Sequence, residues 1–278
     1  MKLSSPNGAA LRWTSNVILL LIGAVFVLPL VWVVLASFDG GATLSVAWPK
    51  QWSLENFRKV LTPELSFLPL WNSLLLSAGC AIVTVVVAIL AAYPLSRYRN
   101  RFNRPFLYAI LFGTCLPITA MMVPVYSLFV SLNLIDSLGG TILFLAASSL
   151  PMAIWMTKNF VDSVPVQLEE AAWVDGASSM KTLWTVVVPL VRPGIAVVFI
   201  YVFVAAWGNF FVPFVLLLSP ENQPAAVSIF TFFGQYGAVA YGQLAAYSLI
   251  YSVPVIALYV IVSRALGGSS ALAGAVKG

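Results

Sequence analysis

The segment between residues 164 and 194 reads VPVQLEEAAWVDGASSMKTLWTVVVPLVRPG and separates two long apolar stretches. A polar segment of this length has little to do inside lipid, where unpaired polar groups are costly. We therefore expect it to lie in water and to meet a soluble partner. The residues that define its spacing are Glu170, Ala171, Ala172, Gly176, Val186, Val188 and Pro189.

The composition of the whole chain is that of a multi-span membrane protein. Of its 278 residues, 61% are hydrophobic and 8% are charged, whereas soluble domains carry about 25% charged residues. A helical span needs about 20 apolar residues. We predict an all-α membrane protein with a tail at 1–16, a transmembrane domain at 17–264 and a tail at 265–278. The six predicted spans, which contain no Asp, Glu, Lys or Arg, are 17–37, 72–95, 106–130, 138–157, 194–218 and 244–263.

Basic residues are divided unequally between the two sides of these spans. Eleven of the 14 Lys and Arg residues lie in the tails and in the loops after the second and fourth spans, and the other three are Lys50, Arg58 and Lys59. Cytoplasmic loops carry the excess of Lys and Arg, so we expect both termini to be cytoplasmic and residues 38–70 to be external. The net charge of +5 then reflects orientation rather than nucleic-acid binding. The first window is longer than a signal-peptide core of about 7–15 residues, so we expect it to be retained.

Residue types that support catalysis are absent or lie in spans. The chain has no His, which excludes Ser-His-Asp triads and histidine metal sites. Cys80 and Cys115 fall inside predicted spans, where we expect small buried residues rather than a disulfide. No G-x-x-x-x-G-K-[ST] motif is present, so the chain has no P-loop. An intramembrane enzyme is therefore disfavoured.

Two shorter features flank the second predicted span. From Ser53 the sequence reads SLENFRKVL, with apolar residues at positions 54, 57, 60 and 61, which predicts a short amphipathic helix with Ser53 as N-cap. This helix would lie on the membrane surface or dock a partner. Tyr93 and Arg97, at the other end of the span, are typical of a membrane-interface anchor.

The polar segment itself predicts two short helices at an angle. The first would be capped at Asp162–Ser163, with Pro165 in its first turn, and would end at Gly176, which can adopt a positive φ. The second would be capped at Ser178–Ser179 and would end at Pro189.

The first of these helices should present a flat apolar face. Leu168, Ala171 and Ala172 share one side, and two alanines allow a partner's groove to approach closely. Glu170 and Asp175 place carboxylates at its rim. The residue pattern leaves two interpretations open, a recognition surface or an interfacial helix that only covers the bundle.

The spacing of the segment resembles the ATPase-docking loop of ABC-importer permeases. That loop has Glu-Ala-Ala, three residues, Gly, nine residues, an aliphatic residue, one further residue, a second aliphatic residue and then Pro. The two aliphatic residues are usually Ile and Leu, where this chain has Val186 and Val188. Other stretches resemble the carbohydrate-importer subfamily and its six-span, maltose-transporter-type permease. They are Ser53–Leu61, Ala92–Arg99, Met122–Pro124, Trp207–Phe210 and Gly274–Gly278.

The resemblance implies a type I permease bundle with cytoplasmic coupling helices, in a bacterial inner membrane, forming half of the path for a sugar. It implies as partners a second homologous permease, two ATPase subunits or domains that bind ATP and Mg²⁺, and an extracytoplasmic substrate-binding protein. It implies no cofactor in this chain. Alternatives are a polyol or sugar-phosphate importer and an ATP-independent carrier. The uncharged spans argue against ion coupling, although sodium coupling through backbone carbonyls would not need charged spans.

Two sets of candidate site residues follow from the resemblance and the pattern. Within 162–193, the implied ATPase-coupling residues are Glu169, Glu170, Ala171, Ala172, Asp175, Gly176 and Pro189. Prolines at positions 117, 124, 213 and 254 predict bent spans, which either pack statically or line a path. Aromatic rings suit the C–H faces of a sugar, and amides suit its hydroxyls. The candidate pathway residues are Trp207, Asn209, Phe210, Phe211, Met122 and Tyr126. The family usually has Trp-Asn-(Asp/Glu)-Phe where this chain has Trp-Gly-Asn-Phe.

Overall fold

The computed structural model describes residues 6–45, 48–49, 51–98, 100–233 and 239–265. The predicted C-terminal tail after residue 265, with its Gly274–Gly278 stretch, lies outside these ranges, as do Lys50 and Arg99. Within them the structure is helical apart from two isolated antiparallel bridges. The all-α prediction is confirmed.

Thirteen α-helices make up the described part of the chain. In order they are α1 Pro6–Ser37, α2 Glu55–Val60, α3 Leu68–Arg97, α4 Asn103–Gly113, α5 Ile118–Ser131, α6 Leu138–Asp162, α7 Val166–Val174, α8 Ser179–Thr182, α9 Val188–Leu190, α10 Arg192–Trp207, α11 Phe211–Leu216, α12 Ala225–Ser228 and α13 Tyr241–Ala265. π-helical turns at Pro63–Phe67 and Leu183–Val187 precede α3 and α9, and 3-10 turns at Pro220–Asn222 and Ile229–Phe232 flank α12.

Among the described residues, between four and six segments can cross a membrane on length and composition. Four single helices qualify, at Trp13–Ser37, Pro63–Arg97, Leu138–Asp162 and Tyr241–Arg264. Two bent pairs qualify if each is one span. They are α4 with α5, at 90°, and Ser179–Leu190 with α10, at 81°.

The predicted third span, 106–130, is broken rather than kinked. α4 ends at Gly113 and α5 begins at Ile118. Pro117 has no N–H, and its ψ of 126° is extended, so the backbone turns where a continuous helix would lose a hydrogen bond. Cys115 lies in this break and is exposed, contrary to the expectation that it is buried in a span.

The predicted fifth span, 194–218, contains two helices instead of one. α10 ends at Trp207, and α11 begins at Phe211. Between them, Asn209 Oδ1 accepts a hydrogen bond of 3.1 Å from the N–H of Val212, which satisfies a donor at the start of α11. The 16 residues of α10 are about 24 Å long at a rise of about 1.5 Å per residue.

The chain divides into two compact units. The first lies within Met1–Ser66 and Ile229–Ser252, and the second within Phe67–Ser228 and Val253–Gly278. α13 contributes residues to both units.

In the first unit, α2 is held by a buried polar side chain and by part of its predicted apolar stripe, since Val60 is completely buried and the Phe57 ring lies 5.1 Å from the Phe38 ring. Asn56 is buried, and its Nδ2 donates to the carbonyl oxygens of Ser37 at 3.2 Å and Asp39 at 2.9 Å. Leu54, part of that stripe, is 64% exposed. Ser53 is not the N-cap, because α2 begins at Glu55 with Leu54 in the cap position, although Ser53 Oγ accepts from the Glu55 N–H.

The core of the second unit is built around α3, which packs along α6 and against α10. Small residues allow these helices to approach closely, as in other membrane bundles. Cys80 is buried in α3 as expected. A Cβ added at Gly79 would lie 2.9 Å from Ile142 Cδ1. A Cβ added at Gly194 would lie 2.3 Å from Cγ of Phe160.

A polar cluster fixes the loops at one end of the second unit. Asp136 has a φ of 63°, and its carboxylate accepts from the N–H groups of Leu218 and Ser219 and from the Ser219 hydroxyl. Its carbonyl accepts from Asn222 Nδ2 at 3.0 Å. The hydrogen bond from the Ser219 hydroxyl is the largest cause that lowers the pKa of the Asp136 carboxyl. We call these four residues the Asp136 cluster.

Candidate functional site

The polar segment after α6 forms helices close to those predicted, with different caps. α6 continues to Asp162, and Ser163 is its C-cap, so neither residue caps α7. Pro165 takes the cap position of α7 with an extended ψ of 128°. Pro has no N–H to leave unpaired there, which suits the start of a helix.

The end of α7 agrees with the sequence. Gly176 has a φ of +81°, the left-handed conformation that glycine adopts without strain. The N–H of Ala177 then donates to the carbonyl of Ala172 at 2.9 Å, which closes the helix end. Ser178 caps α8, with Oγ accepting from the Lys181 N–H.

Pro189 does not end the second helix as predicted. It lies at the start of α9, Val188–Leu190, after a π-helical turn. The chain turns instead at Val191, before α10.

Glu169 is completely buried and forms an ion pair with Arg97. Arg97 Nε donates to Glu169 Oε1 at 2.6 Å, and the two side chains are 7% and 0% exposed. The Tyr93 hydroxyl donates to Glu169 Oε2 at 2.9 Å. Both carboxylate oxygens of Glu169 are therefore bound to residues near the C-terminal end of α3 that the sequence suggested were a membrane anchor.

The remaining donors of Arg97 bind the end of α6, the α6–α7 linker and the neighbouring Ser96. Nη2 donates to the carbonyl oxygens of Val161 and Val164, each at 3.0 Å. Nη1 donates to Ser96 Oγ at 3.1 Å, and the Ser96 hydroxyl donates to the carboxylate of Asp162. We call Tyr93, Ser96, Arg97 and Glu169 the buried ion-pair cluster.

The spacing of Tyr93 and Arg97 is the one sequence signal for this cluster. Tyr93 and Arg97 are four residues apart, so they lie on the same side of α3. An interface anchor would point them at lipid and water, whereas a buried pair requires a carboxylate opposite. That carboxylate lies 72 residues further along the chain, which no local pattern indicates.

The side of α7 opposite Glu169 is open. At about 100° per residue, Gln167, Glu170, Ala171 and Val174 lie on that side, and all four are exposed. Val174 is 87% exposed. Asp175 and Gly176 continue the exposed surface, and Ala172 is half-buried at its edge. We call Gln167, Glu170, Ala171 and Val174 the outer face of α7.

The candidate pathway residues do not form one open surface in the isolated chain. Trp207 is 3% exposed and stacks on Phe203 at 5.7 Å between ring centroids. Met122 is 4% exposed, and Tyr126 is 38% exposed.

The other pathway candidates lie at the junction of α10 and α11. Asn209 is half-buried and uses Oδ1 as a cap for α11. Phe210 stacks on Phe214 at 4.9 Å, and Phe211 is half-buried at the first position of α11. Their role in transport stays a prediction.

Among the described residues, no group of three or more Cys, Asp or Glu side chains could hold a metal ion. The fold and the site together define a multi-span helical membrane protein with a polar loop that is fixed on one side and exposed on the other.

Known proteins are similar to this chain. The family model "Binding-protein-dependent transport system inner membrane component" matches residues 84–268. The inner membrane ABC transporter permease protein YcjP of Escherichia coli is 30% identical over 236 residues, covering 83% of this chain and 82% of that protein. The sulfoquinovosyl glycerol transport system permease protein SmoH of Agrobacterium fabrum is 30% identical over 277 residues, covering 98% and 95%.

A solved structure extends the comparison to three dimensions. A chain in the crystal structure of a bacterial ABC transporter involved in the import of the acidic polysaccharide alginate matches with a TM-score of 0.82 at 22% identity, covering 95% of this chain and 99% of that one. The chain belongs to the family of binding-protein-dependent transport system inner membrane components. It is a multi-pass ABC-importer permease subunit of the inner membrane, the non-catalytic component of its transporter.

Proposed function

We propose that this chain forms half of the translocation path of a carbohydrate importer, paired with a second homologous permease. Two ATPase subunits or domains, which bind ATP and Mg²⁺, dock on the cytoplasmic side. An extracytoplasmic binding protein delivers the substrate, and both termini of the chain are cytoplasmic.

The observation that carries this proposal is the outer face of α7. An exposed apolar residue such as Val174, next to small Ala171 and the carboxylate of Glu170, is typical of a surface that a partner covers. Both carboxylate oxygens of Glu169, on the opposite side, already accept hydrogen bonds. The carboxylate of α7 that is open to a partner is therefore that of Glu170. The face is therefore suited to a partner that offers a groove with a basic residue at its rim.

The excess of basic residues supports the orientation. Arg101, Arg104 and Lys181 are all exposed and lie in the loops predicted to be cytoplasmic, as the distribution of Lys and Arg in membrane proteins requires. The outer face of α7 would then point to the compartment that contains ATP.

The names of the similar proteins support a carbohydrate as substrate. One is a permease for sulfoquinovosyl glycerol, and the alginate importer moves an acidic polysaccharide. Both substrates present C–H faces and hydroxyls, which suit the aromatic and amide side chains near the α10–α11 junction.

The experiment uses the subunit co-expressed with its partner permease, ATPase and binding protein. We expect Glu170→Lys to leave membrane insertion intact and to abolish co-purification of the ATPase and uptake of labelled sugar. Losing one member of a desolvated charge pair costs about 2–5 kcal/mol of binding free energy. The matched control is Glu64→Lys, the same change at an exposed Glu on the predicted external side, which should retain both activities.

Full uptake and normal ATPase binding by the Glu170→Lys transporter would contradict the docking site. Uptake of a polyol or a sugar phosphate, with no uptake of sugars, would instead contradict the proposed sugar substrate. It would not contradict the proposed docking site.

A further inference from the structure

Holding two helices together with the buried ion-pair cluster carries a large desolvation penalty. Removing an Arg and a Glu from water costs several kcal/mol for each ion, and well-packed apolar residues often serve stability equally well. The Arg97–Glu169 pair therefore calls for a role that apolar packing does not provide, such as fixing one relative orientation of the helices that it joins.

The geometry shows which helices are fixed. The Arg97 side chain extends from the end of α3 and donates to Glu169 on α7 and to the carbonyls of Val161 and Val164, at the end of α6 and in the α6–α7 linker. The guanidinium presents its donors in a rigid planar fork. Three segments are thus held in a defined arrangement by one side chain.

α7 is fixed through one fully buried side chain and through contacts with α8 and the π-helical turn Leu183–Val187. The structure describes all nine residues of α7, and Glu169 is the only one of them that is buried. Apolar packing, which positions most helices, contributes as well, but it buries none of these side chains completely, since Val166, Leu168 and Trp173 are 40%, 46% and 39% exposed. The Arg97–Glu169 ion pair and the Tyr93 hydroxyl are the contacts that join the fully buried residue of α7 to α3, and they therefore help to set the orientation of the outer face of α7.

We propose that Arg97 and Glu169 are positioning residues, which make α7 move as one body with the cytoplasmic ends of α3 and α6 when the ATPase pulls or pushes on the outer face. This inference rests on the proposed function, because it requires an ATPase docked on α7. Glu170 contacts the ATPase, whereas Glu169 links α7 to the ends of α3 and α6. Tyr93 assists by holding the second carboxylate oxygen.

The test separates docking from connection in the complete transporter reconstituted in vesicles. Glu169→Gln keeps the size of the side chain and removes its charge. We expect the complex to assemble and to hydrolyse ATP, while sugar transported per ATP falls by about tenfold, within the range typical of coupling between two sites. Glu170→Gln serves as the matched control one residue away, and it should weaken ATPase binding instead.

A second variant removes the charge imbalance. The double change Arg97→Met and Glu169→Met leaves no unpaired buried charge, so it should fold as well as the parent protein. The double Met variant should nevertheless show the same fall in transport per ATP. Arg97→Lys with native Glu169 should show a smaller fall than the double Met variant. A purely structural role would reduce the amount of complex and leave transport per ATP unchanged.

Normal transport per ATP in either Glu169→Gln or the double Met variant would overturn the proposal. Failure of the proposed function looks different, because the unmodified subunit would then bind no ATPase at all.

Discussion

Glu169 and Glu170 are neighbours in the sequence and face opposite environments, one buried against Arg97 and the other exposed. The resemblance to importer permeases implied the same role for both. Helix periodicity separates them by about 100°, but it does not say which of the two points inward. Glu169 points inward because it binds Arg97 and Tyr93. Only the folded chain shows that these two residues lie beside α7.

At the same scale, the backbone conformation of Gly176, and not contact with neighbouring atoms, is what disfavours a side chain at this position. A Cβ at this position would meet nothing within 4 Å, yet the φ is +81°. We expect Gly176→Ala to destabilise the α7 end by about 1 kcal/mol, since left-handed backbone costs about 1–2 kcal/mol for residues with a Cβ. The measurement is thermal unfolding of the purified subunit complex, and Gly176→Asn should cost less because Asn tolerates this conformation.

The Asp136 cluster makes a prediction about pH. The pKa of the Asp136 carboxyl is lowered in the folded protein, chiefly by the Ser219 hydroxyl. Its contribution to stability is therefore present above the unfolded pKa of about 3.9 and is lost as pH falls through the lower folded pKa. Asp136→Asn should lower the unfolding temperature at pH 7, and its difference from the parent should shrink in acid. An equal difference at both pH values would contradict this.

At the scale of helices, the sequence allowed α3, α6 and the stop at Gly176 to be predicted, because each depends on local hydropathy or on one residue's backbone preference. The break between α4 and α5 was foreseen only as a bend at Pro117. The unwinding at Gly208–Phe210 was predicted only as a bend at Pro213, which lies inside α11 instead, because apolar residues continue on both sides of the break. Hydropathy measures whether a segment suits lipid and is insensitive to where its helix stops.

Asn209 distinguishes a helix cap from a substrate contact. Asn209→Asp keeps an oxygen that can accept from the Val212 N–H and removes the amide donor, whereas Asn209→Leu removes both. If Asn209 contacts sugar, both variants should transport poorly in an intact complex. If it acts only as a cap, Asn209→Asp should transport normally, and Asn209→Leu should lose about 0.5–2 kcal/mol of stability. Uptake kinetics and unfolding of the same preparations give the answer.

At the scale of the whole molecule, the orientation in the membrane can be tested by labelling. Asn56 is buried and is a poor reporter for the external segment, whereas Leu54 is 64% exposed. In a Cys115→Ala background, an impermeant thiol reagent should label Leu54→Cys in intact cells. It should label Ser179→Cys, which is exposed at the start of α8, only after the cells are opened. The opposite pattern would invert the topology.

The contact of Gly194 with the Phe160 ring has a consequence for genetics. A Cβ there would lie 2.3 Å from the ring, and overpacking typically costs about 1–3 kcal/mol. Gly194→Ala should therefore yield a temperature-sensitive strain that grows on the transported substrate when cool and fails when warm. A search for revertants should recover smaller residues at position 160, such as Phe160→Leu. Because the two positions touch, the paired change should be less harmful than the sum of the single ones.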